Sequence, residues 1–488
     1  MLGKDRPGFA LLTFATLVSA LAFARQSDAA EQSLRSGRER GETSRVEVLL
    51  EVGGDLSMID DKNKQSHKLK MSVVGSMLYD EKLLDNESPV TDESTPEGVE
   101  PPLGLQGVRQ YRRCDAVIKI DKGGAKPRLR DDRRLVAVSA TDRNVTLFSP
   151  VGPLTREELD LIEIPACSLL VERLLPERPV SQGDEWEHSH DLMAGLLNLD
   201  AVSESDVTSS LKELNDTAAQ VELVGTVKGA INGVSSVIDV KGRYKFDMAS
   251  KRITWVALLV KEKRAIGHVA PGVDVVARLQ MKITPNSESD SLGDKALAAL
   301  PLQPQPDLLL LEYESERGLY RFLHERDWHV LNESAESVSL RLIDRGELIA
   351  QCNVSSLPVL EPGMRMTMLR FQEDVERALG KNFDRWLSAG EATTSNGHDI
   401  CRALATGTVE QVPIQWNYFL VADAQGRQAV MAFTMESDLV GRFGKNDDRM
   451  LSTLEFLAPA VDAKPTDKAP AKAAEETVAK PTKTAAPK

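Results

Sequence analysis

The residues with the clearest potential for chemistry are two histidines spaced to share one face of a strand. His188 and His190 form an H-x-H pair that is followed by Asp191. Two imidazoles on one strand face can bind a metal ion when a third ligand lies nearby. No H-E-x-x-H pattern supplies that ligand. We therefore interpret the segment as an exposed polar strand, with a metal hydrolase as the competing hypothesis, and we interpret His324 and His329 in the same way.

The other common catalytic signatures are missing from the sequence. It contains no G-x-S-x-G elbow, no P-loop and no G-x-G-x-x-G motif, and no C-x-x-C suggests redox catalysis. An oxidising compartment would allow Cys352 to pair with Cys401 and Cys114 with Cys167, and buried free thiols are the alternative. We predict a protein that is not an enzyme, with no catalytic residue, no metal site and no cofactor.

The amino end has the pattern of a secretory signal. Lys4 and Arg6 precede an apolar run over residues 9–23, and Ala22-Phe23-Ala24 matches the cleavage pattern. An uncleaved anchor is the alternative, but the run is shorter than the ~20 residues needed to span a bilayer. We predict a signal peptide over residues 1–24, an exported protein in the periplasm or outside the cell, and no membrane span after cleavage.

The charge of the chain limits its partners. The formal net charge is -14, which argues against nucleic acid or anionic lipid as the main partner. A basic stretch from Arg109 to Arg134 follows an acidic, proline-rich loop at residues 85–105. We interpret that stretch as a solvated strand face balanced by the loop and by Asp131 and Asp132. The alternative is a docking patch for an acidic component of the envelope.

Composition divides the chain into two domains. Residues 284–306 are polar, then rich in small residues, then spaced by prolines, and they predict a linker between domains at 44–283 and 307–457. Residues 458–488 repeat Ala, Pro, Lys and Thr with little to bury. They predict a disordered tail.

Strand-like alternation dominates the first domain, with helical signals in its middle. Alternating apolar residues occur at 46–52, 219–223 and 275–283, which predicts half-buried strands in an antiparallel sheet. Thr155 and Glu158 form the T-x-x-E pattern of a helix capping box. A buried helix face is predicted by apolar residues at i, i+3, i+4 and i+7, namely Cys167, Leu170, Val171 and Leu174.

The segment Leu175–Trp186 carries a more specific pattern, L-P-x-x-P-V-x-x-G-D-x-W. It resembles a group of uncharacterised secreted bacterial proteins that are related to the LolA-like half-barrel, which carries lipoproteins. The resemblance implies a curved antiparallel sheet wrapped on helices, with an apolar concavity. It transfers no ligand-binding residue. Pro179 and Gly183 predict a turn there, and Trp186 an apolar anchor at the start of the next strand.

The sequence of the second domain predicts strands, then a helix, then further strands. Met364, Met368, Phe371, Val375 and Ala378 follow helical spacing, and Gly380 is placed to end that helix. A hairpin is predicted over residues 412–435 and a closing helix over 448–456. With Trp328 soon after a paired strand, this order resembles the PsbP-like α/β/α sandwich of photosystem accessory subunits and secreted bacterial proteins. The resemblance implies binding to another protein rather than catalysis.

The sequence therefore predicts an α+β protein, a LolA-like half-barrel followed by a PsbP-like sandwich. The predicted function is that of an exported, non-enzymatic accessory protein of the envelope that binds another protein. The alternative is a carrier of an apolar ligand, such as a lipid or a lipoprotein, in the first domain.

Overall fold

A computed structural model of the protein describes residues 31–59, 66–84, 104–334, 336–394 and 396–458. The predicted signal peptide, most of the acidic loop and nearly all of the predicted tail lie outside these residues. Among the described residues, no helix is both long and apolar enough to cross a membrane.

The first half of the chain is built mainly from strands. In chain order these are β1 Thr43–Ile59, β2 Ser66–Leu83, β3 Leu105–Ile120, β4 Gly123–Ala125, β5 Leu135–Ala140, β6 Val145–Phe148, β7 Leu154–Thr155, β8 Glu185–Glu187, β9 Ala201–Ser205, β10 Thr208–Leu214, β11 Ala218–Ile231, β12 Val234–Asp247, β13 Arg252–Arg264 and β14 Gly272–Thr284. Two helices interrupt them, α1 Arg156–Ile162 and α2 His190–Leu197, with 3-10 turns at Asp131–Arg133 and Val171–Leu174.

The second half repeats this preference for strands. Its strands are β15 Leu311–Ser315, β16 Tyr320–His324, β17 Trp328–Glu333, β18 Ser337–Asp344, β19 Glu347–Leu357, β20 Phe383–Thr393, β21 Asp399–Val409, β22 Val412–Ala422, β23 Gln428–Glu436 and β24 Glu455–Phe456. Its helices are α3 Asp294–Leu297, α4 Met368–Leu379, α5 Val440–Phe443 and α6 Asn446–Thr453, with 3-10 turns at Asp290–Leu292, Pro306–Leu308 and Gly380–Asn382.

The largest sheet in the described part of the chain has 13 strands. Its main path runs β6-β5-β3-β2-β1-β14-β13-β12-β11-β10-β8, with β4 paired to β3 and β9 to β11. Every pairing within it is antiparallel. Its strands alternate buried and exposed residues, so one face is covered and the other meets solvent. We call these the inner and outer faces.

The inner face is filled by the chain that connects β7 to β9. Leu159 and Ile162 of α1, Val171 of the 3-10 turn, and Met193 and Leu197 of α2 are all buried in one apolar core with the inner-face side chains. The core is continuous because each short element buries an apolar stripe that it could not bury alone. These segments therefore occupy the space in which a half-barrel would hold a ligand.

A buried ionic network fixes part of this filling to the sheet. Glu81 on β2 accepts hydrogen bonds from the Arg109 Nε on β3 at 2.8 Å and from the Ser168 Oγ at 2.6 Å. The Arg38 Nη2 donates to the same carboxylate at 3.0 Å. Burial alone would raise the pKa of Glu81, but the two guanidinium groups and Ser168 lower it to about 2. The carboxylate is therefore ionised, and its charge is compensated inside the core.

A smaller sheet crosses from the first half of the chain to the second. Its order is β24-β16-β15-β7, and β15 pairs in parallel with β7, with Leu311 opposite Leu154. The Arg130 guanidinium reinforces the joint by donating to Glu158 and to Glu312, both at 2.8 Å. The two halves therefore share hydrogen-bonded strands and ion pairs.

The remaining strands form a seven-stranded antiparallel sheet in the order β17-β18-β19-β23-β22-β21-β20. One face of this sheet packs on α4, and its opposite face holds a second apolar core that includes Trp328 and Phe433. This sheet also touches the first half directly. A Cβ added to Gly233, in the β11–β12 turn, would lie 2.0 Å from the Cα of Gly346, in the β18–β19 turn. Only two residues without side chains can approach so closely.

The segment between the halves, residues 284–306, has structure of its own. Leu292 of a 3-10 turn and Leu297 of α3 are buried against Val108 of the large sheet. The Lys82 Nζ also donates to the Asp294 carboxylate at 2.5 Å. These contacts hold the segment against β2 and β3. The predicted domain boundaries remain a prediction.

The predicted α+β fold class is wrong. Strand accounts for 54% and helix for 15% of the described residues, and antiparallel sheets dominate the protein. The overestimate of helix has a local cause in the stretch from Cys167 to Leu174. Its helical spacing gives only a 3-10 turn at Val171–Leu174, because Pro165 and Pro176 restrict the backbone on both sides.

Candidate functional site

The two histidines of the H-x-H pair do not share a strand face. Strand β8 ends at Glu187, and the Ser189 side chain caps α2 by accepting from the Leu192 amide at 3.1 Å. His188 packs inward with its Nε2 2.7 Å from the Ser209 Oγ, while His190 is exposed at the start of the helix. The expectation of an exposed polar strand is therefore wrong. Within the described ranges, no three His, Cys, Asp or Glu side chains are grouped as metal ligands.

His324 and His329 lie on different strands of the second half. His324 ends β16, is 1% exposed and has its Nδ1 2.8 Å from the Glu325 carbonyl oxygen. His329 lies on β17 at the edge of a cleft. Burial lowers the pKa of each imidazole to about 4, so both are neutral at physiological pH.

The four cysteines are buried and free. Cys352 and Cys401 lie in separate apolar cores, so the predicted pairing between them is absent. Cys114 and Cys167 share one core but are also unpaired. Burial raises the pKa of Cys114 to about 12 and also raises that of Cys352 and Cys401, which favours the unreactive thiol.

The basic stretch from Arg109 to Arg134 is not one solvated face. Arg109 lies in the buried network, and Arg112 pairs with Asp80 at 2.6 Å. Arg134 pairs with Asp131 at 2.5 Å. Arg109 and Arg130 therefore hold parts of the protein together. The other half of the stretch is solvated, because Arg113, Lys119, Lys122, Lys126 and Arg128 are exposed.

A cleft of about 750 Å³ is lined mainly by the first half of the chain and also by His329 and Val330 of β17 in the second half. One wall is made by residues 143–145, by α1 and by the carboxyl end of α2. The other wall is made by the β11–β12 turn, the β13–β14 loop and β17. Clefts of roughly 300–1,000 Å³ are typical of ligand sites.

Carboxylates give the cleft its electrostatic character. Asp160 and Glu163 lie one turn apart on α1 and its carboxyl end, and Asp200, three residues after α2, also lines the cleft. Burial raises the pKa of Asp160 against the opposing effect of Arg156, although its side chain stays 62% exposed to the solvent in the cleft. Burial likewise raises the pKa of Glu163, against the opposing effect of Arg326. A raised pKa means that these carboxylates lack full compensation for their negative charge.

The arginine at the centre of the cleft is occupied by backbone groups. The Arg156 Nη2 donates to the carbonyl oxygens of Arg326 and Trp328, the latter at 3.4 Å. Its Nη1 lies 3.9 Å from the Asp160 Oδ1, which is too long for a hydrogen bond. Arg156 thus ties α1 to the beginning of β17 and leaves the nearby carboxylates undercompensated.

Apolar side chains line the rest of the cleft. They include Leu199, Ile231, Val269, Pro271 and Val330. The cleft is therefore amphipathic, with carboxylates on α1 and just after α2 and apolar side chains on the rest of its lining. Beneath it, a cavity of about 10 Å³ lies against Tyr79, Arg109 and Cys167, which is room for about one water molecule.

Sequence reasoning missed this cleft because its residues come from six separate segments. Asp160 and Glu163 follow the predicted capping box, and their i, i+3 spacing places both on one helix face. That was the single local signal. Their partners across the cleft depend on how the two halves meet.

Acidification is expected to destabilise the protein through His324. The unfolded imidazole has a pKa near 6.5, and the folded one has a pKa of about 4. Between these values the unfolded state binds more protons, so stability falls as pH decreases from about 6.5 to about 4. The contribution of this one group is about 3 kcal/mol.

Urea denaturation at a series of pH values measures this effect. We expect His324→Phe to flatten the pH dependence over this window. His190→Gln is the control, because His190 is exposed at the start of α2, and it should leave the pH dependence unchanged. An unaltered slope in His324→Phe would contradict the assignment.

No family model matches the chain, and no curated protein matches it.

Several solved structures are similar over part of the chain. A protein from Bacteroides thetaiotaomicron VPI-5482 matches at 13% identity over 30% of this chain and 48% of its own, with a TM-score of 0.22. Cyanobacterial PsbP (CyanoP) from Synechocystis sp. PCC 6803 matches at 13% identity over 30% of this chain and 92% of its own, with a TM-score of 0.25. Lipovitellin matches at 8% identity over 52% of this chain and 26% of its own, with a TM-score of 0.27. The chain thus spans about half of the first of these proteins, and likenesses this weak identify no family.

Proposed function

We propose that the protein is an exported, non-enzymatic accessory protein that binds a segment of another polypeptide in the cleft that both halves of the chain line. The observation that supports this most directly is the cleft of about 750 Å³, whose lining combines the first half with His329 and Val330 of the second. In this proposal the second half is the PsbP-like part of the protein. Export is inferred from the signal-like amino end.

The chemistry of the cleft specifies the partner segment. Three carboxylates line the cleft together with Arg143 and Arg156, and Arg156 already donates to backbone carbonyls. A lysine or arginine of the partner would compensate Asp160 and Glu163 better than solvent does. Apolar partner side chains would cover Leu199 and Val330. We therefore propose a basic, partly apolar segment.

The alternative of an apolar-ligand carrier needs space on the inner face of the large sheet. That face is filled by side chains of α1, α2 and the 3-10 turn at Val171–Leu174. The cavity that remains near them measures about 10 Å³. A lipid would have to displace these elements and break the Glu81 network, so we favour the polypeptide partner.

Photocrosslinking tests the proposal in the protein's own envelope. A photoreactive residue at Ala270, which lines the cleft, should give a discrete crosslinked polypeptide. The same residue at Ala392, which is exposed on β20 outside the cleft, is the matched control. Equal products from both positions would contradict the proposal.

The charge requirement can be tested with the same crosslink. Glu163→Gln should lower its yield by about fivefold, the equivalent of ~1 kcal/mol for one partly exposed ion pair. Glu373→Gln makes the same change on the exposed side of α4 and should have no effect. If the crosslinking yield is unchanged in Glu163→Gln, the partner does not place a basic side chain beside Glu163, and that part of the proposal is wrong.

A further inference from the structure

The outer face of β11 to β14 is basic, although the whole chain is acidic. Alternation along these four strands exposes every second residue on the outer face. The cations on this face are Lys228, Lys241, Arg243, Lys245, Lys261, Lys263, Arg278 and Lys282, and the carboxylates are Glu222, Asp239 and Asp274. The chain has a net charge of -14, but its charges are unevenly distributed. The cations of β11 to β14 collect on one face because these strands are neighbours in the sheet.

Most of these cations have no ion-pair partner. Arg243 pairs with Glu222, Lys228 with Glu204 and Lys282 with Glu47. Among the described residues, the other five cations form no ion pair, namely Lys241, Lys245, Lys261, Lys263 and Arg278. Unpaired cations on adjacent strands attract anions more strongly than a face of balanced pairs does.

Apolar side chains of β13 run along the middle of this face. Trp255, which is 37% exposed, lies in register between Lys245 on β12 and Lys282 on β14. Leu259 lies in register between Lys241 and Arg278. Each of these two rows, which are separated on this face by the row of Arg243, Ala257 and Gln280, thus places an apolar group between two cations. We call the six residues of the two rows, Lys245, Trp255, Lys282, Lys241, Leu259 and Arg278, the basic–apolar face.

We propose that the basic–apolar face docks on the surface of a bilayer that contains anionic phospholipid. Long cationic side chains beside a tryptophan suit the boundary between headgroups and acyl chains, since the amines can reach the phosphates while the indole enters the interface. Lysine is depleted in protein–protein interfaces, and three of the six residues are lysines on the two strands that flank β13. Charge and apolar character together therefore favour a lipid surface over a protein partner.

The boundaries of the face support this choice. The next strand, β1, carries Glu47, Glu51 and Asp55 on the same side of the sheet. These carboxylates would be repelled by an anionic surface, so attraction is confined to one side of the molecule. Because this face is opposite the inner core, docking on a bilayer is independent of the cleft and of the proposed polypeptide partner.

Vesicle flotation with the full-length protein tests the inference. The probes are vesicles of equimolar phosphatidylglycerol and phosphatidylcholine, with phosphatidylcholine alone as the reference. We expect binding to the anionic vesicles at low salt, loss of binding at high salt, and none to the neutral vesicles. An absence of binding to the anionic vesicles at low salt would overturn the proposal.

Matched variants separate the face from the rest of the chain. Lys241→Gln, Lys245→Gln and Arg278→Gln combined should weaken binding roughly a hundredfold to a thousandfold, since each removed cation contributes roughly fivefold to tenfold. The control combines Lys295→Gln, Lys381→Gln and Lys445→Gln, three exposed residues outside the face, and makes the same change in net charge. An equal loss of vesicle binding in the two triple variants would mean that binding depends on net charge or on the lysines of residues 459–488. That result would refute the proposed role of the basic–apolar face.

The position of Trp255 gives an independent readout. On anionic vesicles that contain brominated lipid, we expect tryptophan fluorescence to be quenched, and Trp255→Phe should remove most of that quenching. Quenching that persists unchanged in Trp255→Phe would show that another surface meets the bilayer.

Discussion

Replacing Arg109 by methionine is expected to lower the free energy of unfolding by about 3–5 kcal/mol, the cost of breaking a buried ion pair from one side. Arg109 is 3% exposed and donates to Glu81 at 2.8 Å. Its Nη2 also donates to the Ser168 Oγ at 3.0 Å, and its guanidinium lies 4.8 Å from the centre of the Tyr79 ring. Without it, Glu81 would keep only Arg38 as a cationic partner.

Urea denaturation of Arg109→Met at neutral pH measures the loss. Arg113→Met is the matched control, because Arg113 is exposed on the same strand, and we expect it to change stability by less than about 0.5 kcal/mol. A loss in Arg109→Met no larger than in the control would mean that the network does not hold the connecting segment to the sheet.

Replacing Trp328 by alanine is expected to cost about 3–5 kcal/mol in the second half of the protein, the usual cost of truncating a fully buried aromatic residue. Trp328 is 0% exposed, and its ring centroid lies 6.0 Å from that of Phe433 and 6.5 Å from that of Phe443. Its indole also donates to the Asn446 Oδ1 at 3.3 Å. Truncation would leave a cavity and an unpaired amide oxygen.

Thermal unfolding of Trp328→Ala, followed by circular dichroism, checks this prediction. Trp255→Ala is the control, because that indole lies on the outer face and is 37% exposed. Trp328→Ala should lower the melting temperature well beyond the control. Similar shifts in both variants would place Trp328 outside the core of the seven-stranded sheet.

Patterns confined to one element could be predicted from the sequence. The Thr155–Glu158 capping box forms with both of its hydrogen bonds. Helix α4 spans Met368–Leu379 and ends at Gly380 as predicted, although Met364, the first residue of the predicted spacing, precedes the helix. Gly183 adopts a φ of +97° in a turn before Trp186 on β8. Each depends on interactions within a few residues, which local composition specifies.

Features that depend on distant segments could not be predicted. Arg109 reads as a surface cation in a basic stretch, yet its partner Glu81 lies on another strand and beyond the acidic loop. Register brings the two together, and register follows from sheet order rather than from local pattern. The parallel pairing of β7 with β15 joins segments more than a hundred residues apart. The cleft depends on how the two halves meet, so it could not be predicted from local sequence patterns either.

The central claim is that the cleft binds a polypeptide. Native mass spectrometry of the protein purified from its own envelope fraction tests it most directly, with the Asp160→Asn/Glu163→Gln double variant beside the natural protein. We predict a complex with another polypeptide that is lost or strongly reduced in the variant. A mass without any bound polypeptide, or a polypeptide complex that is equally abundant in the variant, would contradict the account.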